Sequence, residues 1–267
     1  LHLLYSRFFT KGINKFNKKI NLSEPFKNLF TQGMVCHETY KDDKGNWLYP
    51  DEVLKVDTNK FVKKNNKTKV IVGASESMSK SKKNTIDPET MINQYGADSV
   101  RWFILSDSPP EKDVQWSEQG MIAAYKFIQK FWMLHKKIIN EIKNKKRKNH
   151  NIDLTIYTNK LIEKYTSSLE KFNMNVLIAY LHETYNFLNK EIDKLDIKDL
   201  KENYSKILIL MFPILPHLVS ECLKETQIDK DISWPIPQKK YLEEKFVIMV
   251  IQINGKKKSL IKIEKDL

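Results

Sequence analysis

The sequence is poor in cysteine and lacks long hydrophobic runs. Its two cysteines, Cys36 and Cys222, lie far apart in 267 residues and stand in no metal-binding spacing. This argues against a disulfide framework or a zinc knuckle, so we expect a reducing compartment, the cytoplasm, and no resident metal site. No apolar run reaches the roughly 20 residues of a membrane-spanning helix, and no membrane partner is expected.

Glycine is also scarce and unevenly placed. After Gly120 the next glycine is Gly255. Within this interval apolar residues such as Met121, Tyr125 and Ile128 recur at helical spacing, a pattern typical of a helix bundle. We therefore predict a mixed, mainly α-helical fold in which a bundle follows a more irregular first part.

Negative charge falls well short of positive charge. The chain has 46 Lys and Arg against 33 Asp and Glu, a net charge of +13. Such an excess favours a polyanionic partner, with nucleic acid first. The basic features of the bundle are Lys130, Lys136, Lys137 and the run KNKKRK from residue 143. Lysine is used freely throughout the chain, so a solvated helix face stays open as the alternative for each of them.

Local patterns predict the elements of the first part. Leu3, Leu4, Phe8 and Phe9 favour a helix, and a strand-like run ends at Met34-Val35. The polar segment 38–70 is typical of turns and short strands, and residues 69–72 favour a strand.

Polar residues and glycine mark the helix ends that follow. Asp87-Pro88-Glu89 is typical of a helix start, and Gly96 of its end. Asp98 is expected to cap a second helix, and Ser117 a third. Arg101 is expected to pair with a nearby acidic residue.

Further along, the pattern predicts more helices, a linker and a hairpin. A turn is expected at residues 172–175, and one helix from Ile207 to Leu218, kinked or shortened by its prolines. The segment from Trp234 to Pro237 is expected to be extended. Asn254-Gly255, between two β-like runs, is the favoured turn of a β-hairpin.

The stretch SMSKSKKN, at residues 77–84, combines lysines, serines and few bulky groups. A loop of this kind offers ammonium groups, hydroxyls and backbone N–H donors to a leaving pyrophosphate. Lysine suits that task because it is a mobile point charge. The alternative is a basic surface loop or a targeting patch.

This stretch and its continuation, SMSKSKKNTIDPETMINQYGADSVRWFILSDSP, resemble the KMSKS region of class I aminoacyl-tRNA synthetases. The resemblance implies that Lys80 is the catalytic, ATP-facing lysine, and that Met78, Ser79 and Ser81 are the matching motif residues that bind ATP. Ser77 replaces the family's first lysine. Lys82 or Lys83 would substitute for it in part.

Other stretches resemble the leucyl enzymes of bacterial type within this class. They are HLLYSRFFTK, FTQGMV, KDVQWSEQGMIAAYKFIQKFWML, EKFNMNVLIAYLHETYNFLNK, LMFPILPHL and VIQINGK, spread over nearly the whole chain. The resemblance implies that Gln32, Met34 and Val35 line the adenosine side of the active site. The alternative for the side chains of Met34 and Val35 is a strand end packed in the core.

The resemblance also implies an organisation into three parts. Residues 1–116 would be the C-terminal part of a Rossmann-like catalytic domain with its KMSKS-type loop at 77–81. Residues 117–238 would be a helical anticodon-binding domain, and 239–267 the first β-hairpin of a small C-terminal tRNA-binding domain.

The implied activity is that of a leucine–tRNA ligase. With ATP and Mg²⁺, the enzyme would activate leucine as leucyl-adenylate and pass it to tRNA-Leu, acting as a monomer. The resemblance also implies a second signature of the class, His-x-Gly-His, which contacts ATP. It is not present in this sequence, so we expect this chain to be a piece of the enzyme and inactive alone. Two alternatives stay open: an isoleucyl, valyl or methionyl enzyme of the same class, and a non-catalytic basic helical RNA-binding module.

Overall fold

The structure, a computed structural model, describes residues 2–17, 19, 22–57, 60–144, 154–226, 233–243 and 246–264. They fall into two compact units, residues 1–33 and residues 34–267.

The first unit contains helix α1 (His2–Phe16), as the apolar spacing predicted. None of its residues is buried, and its large apolar side chains, Phe8 among them, are exposed. Arg7 and Lys11 both pair with Glu24, each at 2.9 Å. The predicted strand-like run ending at Met34-Val35 is wrong, because residues 22–34 form no strand and β1 begins at Val35.

The second unit opens with a small sheet. Strands β1 (Val35–Lys41) and β5 (Ile71–Ser77) pair antiparallel, β2 (Trp47–Leu48) joins one end of β1, and β6 (Val114–Gln115) pairs parallel with its start. Between them β3 (Val53–Asp57) and β4 (Lys60–Lys63) form a separate antiparallel pair. The short strands and turns predicted for 38–70 are confirmed, and the strand expected near residues 69–72 is β5.

Helices α2 (Pro88–Tyr95) and α3 (Ala97–Ser106) follow the loop after β5. The Asp87 side chain accepts hydrogen bonds from the N–H groups of Glu89 (3.4 Å) and Thr90 (3.0 Å), which satisfies two free amides of the first turn. The first helix ends at Gly96, whose φ of 82° suits glycine. The predicted start of α2 at Asp87-Pro88 and its predicted end at Gly96 are both confirmed.

The predicted role of Asp98 as the cap of its own helix is wrong. Asp98 is buried in the first turn of α3, and its carboxylate accepts hydrogen bonds from Leu218 N–H (2.7 Å) and His217 Nδ1 (2.9 Å). It therefore caps α8 (Pro216–Thr226), a helix more than a hundred residues later. Arg101 likewise donates to the carbonyls of Pro213 and Ile214 rather than to an acid, because the backbone groups at a helix break need partners.

The bundle consists of α4 (Glu118–Asn144), α5 (Leu154–Glu170), α6 (Met174–Glu191), α7 (Ile197–Met211) and α8. Ser117 caps α4 as predicted, its Oγ accepting from Gly120 N–H at 3.2 Å. The single helix predicted from Ile207 to Leu218 is wrong. Residues 212–215 separate α7 from α8, because Pro213 and Pro216 lack the N–H group that a continuous helix requires.

Close packing joins the helices after the loop to the bundle. The Trp102 ring of α3 stacks on Phe127 of α4 with centroids 4.1 Å apart. Gly120 lies against the Phe103 ring, and a Cβ there would lie 2.6 Å from the nearest ring carbon. The core continues through the five helices and includes fully buried Tyr165 and Tyr204. Helix α3, which follows the loop, thus packs directly against the bundle.

The turn predicted near residues 172–175 is present, with Phe172 at a φ of 58°. Helix α4 ends at Asn144. The last four residues of the KNKKRK run, 145–148, lie outside the described residues. The extended linker lies on α5, where Trp234 Nε1 donates to Thr166 Oγ1 at 2.9 Å and Gln238 N–H to Asn159 Oδ1 at 2.7 Å.

At the end of the chain β7 (Phe246–Ile253) and β8 (Lys256–Glu264) pair antiparallel. Asn254 and Gly255 both have positive φ, 52° and 74°, which is the geometry of a two-residue hairpin turn. That this hairpin opens a tRNA-binding domain stays a prediction. None of the helices in the described part of the chain combines the length and apolar character needed to cross a membrane.

Candidate active-site loop

The loop predicted to be catalytic leaves the sheet at the end of β5. Met78 N–H donates to the carbonyl of Val35 at 3.0 Å, which fixes the exit of the loop to the start of β1. Residues Lys80–Lys82 form one 3₁₀ turn, and Lys83 ends it with a φ of 53°. The loop is therefore a tight turn held at the sheet edge.

The three lysines of the turn differ in their contacts. Lys82 forms an ion pair with Glu76, the penultimate residue of β5. The ammonium of Lys83 lies over the Tyr49 ring, 5.2 Å from its centroid. Lys80 is exposed and, among the described residues, has neither an ion pair nor a side-chain hydrogen bond. Lys80 is thus the lysine of this turn whose ammonium has no partner in the described part of the chain.

The serines hold the turn together. Ser79 N–H donates to Asn84 Oδ1 at 2.8 Å, and the hydroxyls of Ser79 and Ser81 are 2.7 Å apart. Ser77, which stands where the family has its first lysine, is exposed at the end of β5.

The structure brings Val35 to this loop, and Met34 directly precedes it. Met34 is 54% exposed, so the core-packing alternative does not hold for it. Its backbone is engaged: the N–H donates to Asp113 Oδ1 at 2.8 Å, and the carbonyl accepts from Val114 N–H at 2.9 Å. Val35 is half-buried. Gln32 is exposed and belongs to the first unit.

Three residues that organise the site were not predicted: Asn84, Glu76 and Asp113. Asn84 is the clearest case, because its side chain is fully buried within a polar loop. The sequence does place an asparagine directly after the SKSKK run, but its burial depends on β1, almost 50 residues earlier.

Cys36 is buried at the same sheet edge, and its Sγ donates to the carbonyl of Met34 at 3.9 Å. Burial, assisted by the charge of Asp113, raises the pKa of this thiol. A thiol of raised pKa stays protonated and is a poor nucleophile. Within the described residues no group of three or more His, Cys, Asp or Glu side chains is placed to hold a metal ion.

Two models of protein families match parts of the chain. Residues 66–117 match the family model of class I tRNA synthetases (I, L, M and V), and residues 151–267 that of the anticodon-binding domain of tRNA ligases. The crystal structure of a ternary complex of Agrobacterium radiobacter K84 LeuRS with tRNA and LeuAMS shares the fold. Its TM-score is 0.71 at 22% identity, over 100% of this chain and 31% of that one. The chain belongs to the class I tRNA synthetases.

Sequence relatives narrow this assignment. The leucine–tRNA ligase of Rickettsia massiliae is 42% identical over 96% of this chain, and that of Bartonella tribocorum is 38% identical over 98%. Within its class, the chain belongs to the leucine–tRNA ligase family. It spans about a third, 31%, of the length of these curated relatives. The mixed, mainly α-helical fold with an anticodon-binding domain is confirmed, whereas the boundaries at 116/117 and 238/239 stay predictions.

Proposed function

We propose that this chain supplies the pyrophosphate-binding loop and the helical bundle of a leucine–tRNA ligase. The enzyme converts leucine and ATP to leucyl-adenylate and pyrophosphate, and then transfers leucine to the terminal adenosine of tRNA-Leu. Two findings support the proposal: the leucine–tRNA ligases that match nearly the whole chain, and the lysine left available in the loop.

In the first step a leucine carboxylate oxygen attacks the α-phosphorus of ATP, and the bond to the bridging oxygen of the β-phosphate breaks. The departing pyrophosphate gains negative charge. We assign Lys80 to the stabilisation of that charge, because Lys82 and Lys83 are already engaged with Glu76 and Tyr49. A positioned ammonium group is most effective where charge develops. No covalent enzyme intermediate is needed, and Mg²⁺ enters with the phosphates of ATP.

We further assign Met78, Ser79 and Ser81 to the phosphate side of the ATP site, and Gln32, Met34 and Val35 to the adenosine side. For Val35 the contact with the loop supports this assignment, since its carbonyl accepts a hydrogen bond from Met78 N–H.

For tRNA-Leu we propose the bundle, residues 117–238, as a contact surface for phosphates. Lys130 is exposed. Lys136 is paired with Glu225, and Lys137 with Asp193 at 3.3 Å. Pairing reduces the charge that these two side chains offer, so Lys130 is the stronger candidate of the three. We propose a cytoplasmic enzyme that acts as a monomer.

The observation that carries the proposal is the available charge of Lys80, and its removal is the test. In the complete ligase, meaning the native protein purified with every segment it carries, Lys80→Ala should lower leucine-dependent ATP–pyrophosphate exchange by about 100-fold or more. The affinity of the Lys80→Ala ligase for tRNA-Leu should not change, because the loop acts on ATP.

Lys83→Ala serves as the matched control, since it removes a lysine of the same turn whose ammonium rests on Tyr49. Its exchange rate should fall far less. Exchange at the wild-type rate in the Lys80→Ala protein would refute the assignment.

The same assay separates the alternatives. Exchange that depends on isoleucine, valine or methionine rather than leucine would indicate another enzyme of the class. Exchange with none of the four, together with tRNA binding, would indicate a non-catalytic RNA-binding module.

A further inference from the structure

Asn84 is unusual for a residue of a polar loop, because its relative exposure is 0%. A buried carboxamide is costly unless its donors and acceptor find partners. Here both ends do. The Oδ1 accepts from Ser79 N–H at 2.8 Å, and Nδ2 lies 3.1 Å from Glu76 O, 3.2 Å from His37 O and 3.4 Å from Ser77 O.

All of these partners precede the turn that carries Lys80, whereas Asn84 itself follows it. Glu76 and Ser77 are the last two residues of β5, Ser79 directly precedes Lys80, and His37 lies on the neighbouring strand β1. One side chain therefore ties the start of the loop, its end and the sheet together. Two backbone hydrogen bonds form the 3₁₀ turn between Ser79 and Asn84. Lys82 N–H donates to Ser79 O at 3.2 Å, and Lys83 N–H donates to Lys80 O at 3.3 Å.

Few other side chains can replace Asn84 here. Aspartate has the same shape, but it has no donor and would place a negative charge against three carbonyl oxygens. Alanine would leave Ser79 N–H and the facing carbonyls without these partners. The site thus requires an acceptor and donors on one short, planar group.

We propose that Asn84 is a positioning residue that acts through Lys80, holding the loop so that this lysine is presented to the pyrophosphate of ATP. The proposal rests on the proposed function above. It makes a structural claim, that Asn84 orders the loop, and a functional claim, that the order matters because of Lys80.

The structural claim is tested by hydrogen exchange on the 267-residue chain without ligand. In Asn84→Ala, the amide of Ser79 should exchange about tenfold faster or more, since the bond to Oδ1 is lost. The amide of Phe131, in the middle of α4, should not change. Asn93→Ala, at an exposed position of α2, is the matched control and should leave both amides as they are. Unchanged exchange at Ser79 in Asn84→Ala would overturn the claim, and Phe131 reports whether a variant remains folded.

The functional claim is tested by a double-mutant cycle in the complete ligase, read as leucine-dependent ATP–pyrophosphate exchange. Asn84→Ala should lower the rate about tenfold or more when Lys80 is present, and by less than about twofold in the Lys80→Ala background. A merely structural role would give the same fold-loss in both backgrounds, which would overturn the claim. An unsubstituted ligase with no exchange activity would instead refute the proposed function, while the exchange of the Ser79 amide would still decide whether Asn84 orders the loop.

Discussion

His135 shows how a single titratable side chain is handled in the bundle. It lies fully buried on α4, with Nδ1 2.9 Å from the Tyr204 hydroxyl of α7 and Nε2 3.2 Å from a Glu225 oxygen of α8. Burial lowers the pKa of His135 below its ordinary value of 6.5, although Glu225 acts in the opposite direction. The folded protein therefore holds this imidazole neutral at pH values where the unfolded chain protonates it.

This shift predicts a pH dependence of stability. Below the ordinary pKa of 6.5 the unfolded state binds a proton that the folded state does not. The free energy of unfolding should therefore decrease as the pH falls from about 7.5 to about 5, and His135→Gln should reduce that slope. Urea denaturation at several pH values measures the free energy of unfolding and therefore its slope against pH.

Two other groups must be separated from this effect. Burial also lowers the pKa of His182, so His182→Gln should remove its own share of the same slope. A hydrogen bond from Lys136 lowers the pKa of Glu225, whose contribution is lost only at pH values below its ordinary 4.5. A His135→Gln protein that keeps the full slope above pH 5 would contradict the prediction.

At the scale of elements, the contact between α3 and α4 depends on the absence of a side chain. A Cβ at Gly120 would lie 2.6 Å from Phe103, and that ring is only 5% exposed, so it has little room to move. In a helix, alanine is otherwise favoured over glycine by up to about 1 kcal/mol. Overpacking costs roughly 1–3 kcal/mol. We predict that Gly120→Ala lowers the free energy of unfolding in urea.

The matched control is Gly12→Ala in α1, where no atom lies within 4 Å of the added Cβ. There the helical preference acts alone, so the helix content measured by circular dichroism should stay constant or rise. Equal stability of the Gly120→Ala and unsubstituted proteins would contradict this prediction. It would show that the Phe103 ring can shift to accept the added Cβ at little cost in free energy.

The elements also show what could be predicted from the sequence. Helix ends set by neighbouring residues, such as Asp87-Pro88 and Gly96, were predicted correctly because cap and turn chemistry is local. The role of Asp98 was not predicted, because its partners lie more than a hundred residues away. The role of Asn84 was not predicted either, because its burial depends on the remote strand β1, where it bonds to the carbonyl of His37. The identity of the loop and of Lys80 came from the order of residues, whereas the observation that Lys82 and Lys83 are engaged required the fold.

At the scale of the whole molecule, the chain holds one loop of the proposed active site and spans 31% of its curated relatives. We predict that the purified 267-residue chain alone does not charge tRNA-Leu with leucine, because its residues offer no His-x-Gly-His signature for the other side of ATP. Aminoacylation assays with radioactive leucine, with the Rickettsia massiliae ligase as the positive control, measure this. Charging above background by the chain alone would show that the proposed division of the site is wrong.

The carboxylate of Asp98 has an evolutionary consequence. It belongs to the segment that matches the class I synthetase model, and it serves the first amides of a helix within the segment that matches the anticodon-binding model. A counterpart segment that lacked this acid, or this helix end, would leave the other partner buried without its hydrogen bond. The two matched segments are therefore coupled through this contact, and an exchange of either one has to preserve it.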